Sequence, residues 1–354
     1  MYTLAGNETY SYQRAWPRQF LASRLFDCTP IDLGNLAVAA RLRAGWLGHR
    51  FNGDAVVLLH SVFSNLCTIP AWLVEALARL KQPKVLFIGN EYKLMPEKMD
   101  LCERLGLDLL ISQSQSTDVH ALYRRRLGCA VTGIPNTGLD AELFAPVTPD
   151  EQRPIDIGYR ADDGPYYLGH RERRQIADYF TTHAQAMGLR ADISMAPADR
   201  FDELRWAAFL NRCKGQLGTE AGGDYFDLDD TARLCTLALE RKSRDVSFEE
   251  VYANCLQDLT SVVPLRILSG RNVEAAATGT TQILFEGRYD GYFVADEHYI
   301  PLKKDFSDVD DAVRKFRDAA VRSRVSANAL ALVRQEFTYD RLLARVEHAV
   351  APLL

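Results

Sequence analysis

Residues 269–287 read SGRNVEAAATGTTQILFEG. Small residues fill the middle, and an apolar run follows. VEAAATG has the composition of a short helix closed by a glycine, and TTQILFEG that of a buried strand. One carboxylate, Glu274, stands among alanines three residues after Arg271. A helix feeding a strand is one repeat of a wound α/β domain, so the flanking sequence decides whether the whole chain is built that way.

It is patterned that way on both sides of a break. Before the break, DAVVLLHSVF (54–63) reads as a buried strand entering a loop, and IPAWLVEALARLKQ (69–82) has helical spacing. PKVLFIGNE (83–91), DLLISQS (108–114) and CAVTGIPN (129–136) are further strands. Between them lie helical EKMDLCERLGL (97–107) and STDVHALYRRRLG (116–128), the latter with Ser116 as N-cap. The pattern pauses at FAPVTPDEQRP (144–154), where three prolines mark a linker. It restarts with strands at 155–160, 190–196 and 214–220 and helices at 168–188, 202–213 and 227–242. From Ser307 the chain reads as helix to its end, opening on that serine as N-cap with early acids that suit a helix dipole. Strand and helix in alternation predict parallel sheets with crossover helices, hence an α/β chain of two doubly wound, Rossmann-like domains facing a cleft.

Composition bounds the function. The 354 residues suit two domains, and 47% hydrophobic with 25% charged is ordinary for a globular chain. A net charge of −5 carries no basic footprint for nucleic acid. No apolar run approaches the roughly 18 residues of a membrane span. The first twenty residues lack the charged-then-apolar order of a signal peptide. The expected location is cytoplasmic, with a loose contact at the inner face of the membrane left open. Seven dispersed cysteines without a CxxC pair read as buried reduced thiols, and no metal site is expected.

The segment GIPNTGLDAELFAP (133–146) resembles the P-N-G-x-D-x-x-x-F-x-P signature of group 1 glycosyltransferases with the GT-B fold. Pro135, Asn136, Gly138, Asp140, Phe144 and Pro146 match, with Thr137 inserted. Arg271, Glu274, Ala275 and Gly279 follow the Arg-x-x-Glu-Ala element of bacterial members. The stretches 285–311 and 336–346 resemble their tail, whose last helix crosses back to the N-domain. The resemblance implies an acceptor-binding domain over 1–147, a nucleotide-sugar domain over 153–330, and a return of the C-terminal helix over 331–354 to the first domain.

It also implies a site. Ser269, Gly270 and Arg271 would open a helix whose free N–H groups receive a nucleotide pyrophosphate. Glu274 would accept the ribose hydroxyls. A surface ion pair of Arg271 with Glu274 is the plain alternative. Retaining members carry two glutamates eight apart, and eight before Glu274 stands Arg266. Glu220, followed by Gly222 and Gly223, resembles the displaced first glutamate and would touch the donor sugar, with Gly222 exposing backbone N–H. Arg160 at a strand end is the expected phosphate ligand. His60, at the end of a first-domain strand, is the candidate base or sugar contact, with a core histidine as the alternative. Asn90 and Glu91 at the next strand end are acceptor-side candidates, and the aromatic stretch 8–20 is another. Asp224, Asp227, Asp229 and Asp230 lack the spacing of a calcium loop and read as a helix-starting turn.

The expected activity is metal-independent transfer of a sugar, with retention, from a nucleotide-diphosphate donor to a hydroxyl of a glycan or lipid-linked glycan. No cofactor is needed beyond that substrate. A sugar-nucleotide epimerase of the same fold and a non-catalytic sugar-nucleotide-binding partner are the alternatives.

Overall fold

The computed structural model describes residues 1–3, 11–35, 53–243, 245–259 and 263–354. Residues 8–10 of the candidate stretch 8–20 lie outside these. The chain divides into two compact units. One comprises Met1–Asn136, Gly222–Leu265 and Tyr339–Leu354; the other comprises Thr137–Ala221 and Arg266–Thr338. The exchange falls at 136/137, and residues 222–265 form an excursion that returns to the first unit. Residues 144–154 are packed into the second unit. Phe144 joins its core, and buried Arg153 donates to the carbonyls of Thr148, Cys213 and Thr278 and to Thr280 Oγ1.

The first unit is built on four parallel strands in sequential order, β1 (Val56–Leu58), β2 (Lys84–Phe87), β3 (Leu109–Ser112) and β4 (Ala130–Gly133). β2 and β3 are buried at every residue, which is why they are legible as unbroken apolar runs. Beyond β1 lie residues 1–3, with Leu59 N donating to Met1 O. Beyond those lie 31–33, bonded through Tyr2 N to Ile31 O and Leu33 N to Tyr2 O. The winding therefore reverses between residues 1–3 and β1. One face is covered by α1 (Ser11–Ala22), whose Trp16 and Phe20 join Phe87 and Ile111 in the core. The helices α2 (Ala71–Ala78), α3 (Met95–Leu105) and α4 (Thr117–Leu127) make the crossovers. Ser116 caps α4 as expected, accepting from Val119 N.

The second unit holds five parallel strands: β5 (Ile155–Arg160), β6 (Ala191–Ser194), β7 (Cys213–Gly218), and, skipping the excursion, β10 (Thr281–Phe285) and β11 (Ile300–Leu302). Their order is β11-β10-β7-β5-β6, so the winding reverses between β5 and β7. Helix α5 (Glu172–His183) covers one face, with Ile176 and Phe180 against Ile157, Leu217 and Ile283. α6 (Glu203–Arg212) covers the other, with Leu210 in the core that holds Leu284.

The excursion begins at β8 (Ala221–Gly223), which pairs with β9 (Leu265–Ile267). Gly222 has φ +82, and a Cβ there would sit 1.8 Å from Leu265 O, so only glycine allows the strands this close. Helices α7 (Thr231–Lys242) and α8 (Phe248–Val251) follow. Asp227 accepts from Asp229 N and Ala232 N, and Asp230 binds Arg233 and Met95 N, so these acids do start a helix. A disulfide joins Cys235 to Cys255 across 20 residues. This corrects the reduced-thiol expectation for two of the seven cysteines: sequence spacing does not say which thiols a turn brings together.

After β9 comes α9 (Gly270–Ala277), the helix of the opening stretch. The C-terminal helix is not continuous. α10 (Val309–Arg317) is preceded by Asp308 rather than capped by Ser307, and Asp318 caps α11 (Ala319–Glu336). α11 belongs to the second unit. The return to the first is made by α12 (Tyr339–Val350), which buries Leu342, Leu343 and Val346 in the core with Trp16. No helix among the described residues is long and apolar enough to cross a membrane.

Candidate nucleotide-sugar site

In open α/β sheets, ligands sit beyond the carboxyl ends of the strands where the winding reverses. In the second unit this point is a small cleft beyond β5 and β7. Tyr159 and Gln216 to Glu220 line it from the strands. Arg173 lines it from the first turn of α5, and Ser269, Arg271 and Asn272 from the start of α9.

The start of α9 is built for this position. Ser269 Oγ accepts from Arg271 N, and Asn272 Oδ1 accepts from Ser269 N, which closes a capping box. Asn272 is in turn held by Gln282 of β10. Gly270 is required because a Cβ would lie 2.4 Å from Thr137 Oγ1. The glycine serves packing against the first residues of the second unit.

The cleft holds a half-buried cation and a partnerless amide. The cation is the Arg271 guanidinium. Burial, and then the like charge of Arg173, pull its pKa below the ordinary arginine value. Gln216 is 2% exposed, and neither side-chain atom has a hydrogen-bond partner. A buried amide without a partner costs about 1–3 kcal/mol. Arg173 is tied to Asp162 at 2.7 Å. The cleft therefore offers a cation, a second cation beside it, an amide and a helix N-terminus, with Tyr159, Asp162 and Glu274 offsetting part of the charge on Arg271.

Glu220 also lines the cleft. One oxygen accepts from Arg288 N at 2.9 Å and Tyr289 N at 2.7 Å. Burial raises its pKa against these bonds. Glu274 is buried, with Oε2 accepting from Trp206 Nε1 at 2.8 Å. Its charge also acts on Arg271, but at 8% exposure it is no surface carboxylate. Arg266, at the position of the missing glutamate, forms a two-point ion pair with Glu172, and Lys304 reaches the same carboxylate.

Arg160 is placed elsewhere. It binds Asp192 of neighbouring β6 at 2.6 Å and lies over the Phe209 ring, 4.5 Å from its centroid. Side chains alternate along a strand, so Tyr159 enters the cleft and Arg160 turns to the α6 face. Gly222 packs on Leu265 in the first unit and is not among the cleft residues.

The first unit's candidates gather at its own reversal. His60 follows β1, and Thr3 N donates to Ser61 Oγ there. The His60 ring is 2% exposed, boxed by Tyr12, Trp16 and Phe87, with Nδ1 unpartnered. Burial pushes its pKa down to about 3. Asn90 (φ 47) donates to Ser64 Oγ and Asn65 Oδ1. Glu91 is buried and accepts from Ser112 Oγ, Gln113 N and Tyr123 OH, so it is a structural hub. Buried Lys98 closes the group by donating to the carbonyls of Gly89, Asn90 and Lys93.

Sequence reasoning missed Arg173, Gln216, Glu172 and Trp206. Only Gln216 left a signal: a polar residue inside the strand KGQLG.

No protein-family model matches the chain, and no curated protein matches it. Solved structures do. An α-glucosyltransferase in complex with UDP and a 13-mer DNA matches with a TM-score of 0.52 at 10% identity, over 88% of this chain and 84% of that one. Sucrose-phosphate synthase from Thermosynechococcus elongatus matches with a TM-score of 0.48 at 12% identity, over 93% and 82%. HepE of Anabaena in complex with UDP-glucose matches with 0.49 at 12%, over 92% and 85%. The first of these likenesses defines the fold: two Rossmann-like α/β units in the GT-B arrangement of the chain.

Proposed function

We propose that the protein is a glycosyltransferase that moves a sugar from a nucleoside-diphosphate donor to a hydroxyl of a saccharide or lipid-linked glycan. The observation that carries this reading is the meeting of the Arg271 guanidinium, the partnerless Gln216 amide and Arg173 in one cleft at the start of α9. A pyrophosphate supplies acceptors to all of them at once. The fold agrees with it, since the α-glucosyltransferase of like fold is a complex with UDP.

In this reading the leaving nucleoside diphosphate gains charge as the glycosidic bond breaks. Arg271, Arg173 and the N–H groups of α9 stabilise that charge without reorganising, and no metal is needed. Ser269 and Gly270 shape the turn that presents those groups. Glu274 takes the ribose. Glu220, with one oxygen fixed by two backbone N–H groups, keeps the other for a donor-sugar hydroxyl. Retention of configuration rests on the motif resemblance. Arg160, bound to Asp192, is not assigned to phosphate. His60 is a neutral ring at pH 7 and a weak base, boxed by Tyr12, Trp16 and Phe87, so the core-histidine reading describes it and no step is assigned to it.

Incubation with a panel of nucleotide sugars tests the proposal. Transfer to an added saccharide with release of nucleoside diphosphate is the expected result. An altered sugar still attached to its nucleotide means epimerisation, and binding without turnover means a non-catalytic partner; either replaces the proposal.

A further inference from the structure

β10 runs out into the turn 287–291, and that turn is built around Glu220. Arg288 is right-handed (φ −86, ψ −31), while Tyr289 and Asp290 are both left-handed, at φ 45 and φ 53. Successive L residues in that region are unfavourable, most of all with a side chain as bulky as tyrosine. The surroundings enforce it. The Tyr289 ring is fully buried, and its hydroxyl donates to Phe285 O at 2.6 Å. Asp290 Oδ2 accepts from Leu268 N at 2.8 Å, which ties the turn to the entry of α9. What the strain supplies is direction. A right-handed residue followed by a left-handed one turns successive N–H groups inward and makes a concavity for an anion. Here the N–H groups of Arg288 and Tyr289 converge on one oxygen, Glu220 Oε1, at 2.9 and 2.7 Å, from 68 and 69 residues along the chain. Gly287 completes the fit, because a Cβ there would stand 2.7 Å from Glu220 Cδ and Oε2.

We propose that 288–290 is an anion nest whose resident anion is the chain's own Glu220 carboxylate, and that Arg288 and Tyr289 are positioning residues that act through it. The nest takes Oε1 and leaves Oε2 as the acceptor for a hydroxyl in the cleft that Glu220 lines. Its second effect is on charge. Burial raises the Glu220 pKa, and Tyr289 N, then Arg266, then Arg288 N hold it down. Arg266 of β9 and Glu172 of α5 act on Glu220 with opposite signs and are paired with each other. The phenols of Tyr289 and Tyr299 are pushed up by burial and stay neutral. The two N–H groups are therefore the direct donors that favour the charged form, and as backbone groups they cannot rotate away. The nest stands on this geometry, and the use made of Glu220 rests on the donor-site reading above.

The test reads Glu220 directly. Full-length protein is isotope-labelled at its glutamate carboxyl carbons, and the Glu220 resonance, identified by its loss in Glu220→Gln, is followed by NMR through a pH titration. The variants are Arg288→Pro, Arg288→Ala and Gly287→Ala. Proline accepts a φ near that of Arg288 and removes the N–H. Arg288→Pro is expected to raise the Glu220 midpoint by about one pH unit or more, the size of one charged hydrogen bond. Arg288→Ala keeps the N–H and the wild-type midpoint. Gly287→Ala pushes the carboxylate off the nest and raises the midpoint as well. In both shifted variants the acid limb of kcat for sugar transfer moves up by the same amount. Calorimetric affinity for UDP, GDP or ADP, whichever binds tightest, stays level. An unshifted midpoint in Arg288→Pro overturns the proposal. So does an equal shift in Arg288→Ala, which assigns the effect to the guanidinium. If Arg288→Pro does not fold, Gly287→Ala decides by the same midpoint. A shifted midpoint together with normal transfer by Glu220→Gln overturns the positioning role and leaves the donor site of Arg271, Arg173 and Gln216 standing. A wild type that binds none of the three nucleotides and turns over no nucleotide sugar sinks the donor-site reading, while the midpoint still decides the nest.

Discussion

The two units share one winding scheme and use its reversal point in opposite ways. In the first, the charged and amide groups beyond the sheet are satisfied, Glu91 by three donors, Lys98 by three carbonyls and Asn90 by two side-chain acceptors, while His60 Nδ1 is not. In the second, the Gln216 amide is left without a partner at the equivalent place, beside the buried like charges of Arg271 and Arg173. Buried polar groups that satisfy each other raise stability. Buried polar groups held open lower it and are retained where a ligand completes them. The same topology thus carries a largely satisfied polar group once and a partnerless buried amide beside two arginines once.

The comparison breaks most visibly at α12. Deleting the chain from Phe337 removes Leu342, Leu343 and Val346 from the first unit's core, at about 1.5–3 kcal/mol for each buried side chain. Circular dichroism should show the first unit unfolded. A truncated protein with unchanged melting would mean that α12 contributes no core.

The next two predictions form a pair. Glu91→Ala leaves three buried donors unpaired and should cost about 3 kcal/mol or more of folding stability, while nucleotide affinity in the surviving fold is unaltered. Arg271→Ala should do the reverse. Loss of a charge-assisted contact to pyrophosphate weakens nucleoside-diphosphate binding by about 100-fold. Melting without ligand stays level or rises, because a buried like charge beside Arg173 is gone. Equal effects of both substitutions on stability, measured by denaturant titration, would erase the contrast between the two units.

Glu220→Gln sharpens the division within the second unit. The amide oxygen still accepts from Arg288 N and Tyr289 N, so nucleotide affinity holds. Turnover should fall by about 10- to 100-fold, because the sugar changes charge and shape on the way to the transition state. Steady-state rates beside calorimetry separate the two, and normal turnover would remove Glu220 from the reaction.

The last prediction concerns His60, whose pKa falls from 6.5 to about 3 on folding. The unfolded chain binds a proton that the native ring refuses. The stability contribution is therefore complete above pH 6.5, declines as the pH falls through that value, and stops declining near 3. The slope approaches about 1.4 kcal/mol per pH unit within that window. His60→Phe should flatten the melting temperature between pH 6 and pH 4. An unchanged profile would place the acid sensitivity in other groups.

The fold was largely readable in the sequence, and for stated reasons. Buried parallel strands such as KVLF and LLIS are unbroken apolar runs, and Ser116 marks its helix start. The edge strand Ile300–Leu302 escaped notice because it is three residues long and contains Pro301. The excursion over 222–265 and its disulfide escaped because no local pattern says to which unit a segment returns.

The site was half readable. Ser269, Arg271 and Glu220 stand in motifs, and the structure gathers them around one cleft. Arg160 stands one residue from Tyr159, and alternation sent the tyrosine into the cleft and the arginine to Asp192. Arg173, Gln216 and Trp206 carry no motif at all. Local sequence determines secondary structure through periodicity, capping and glycine, because those forces act within a few residues. Which side chains meet across 68 residues, as Trp206 and Glu274 do, is decided by the crossovers that bring α6, β7 and α9 together. Which polar group remains without a partner is decided there too, because that depends on every neighbour at once.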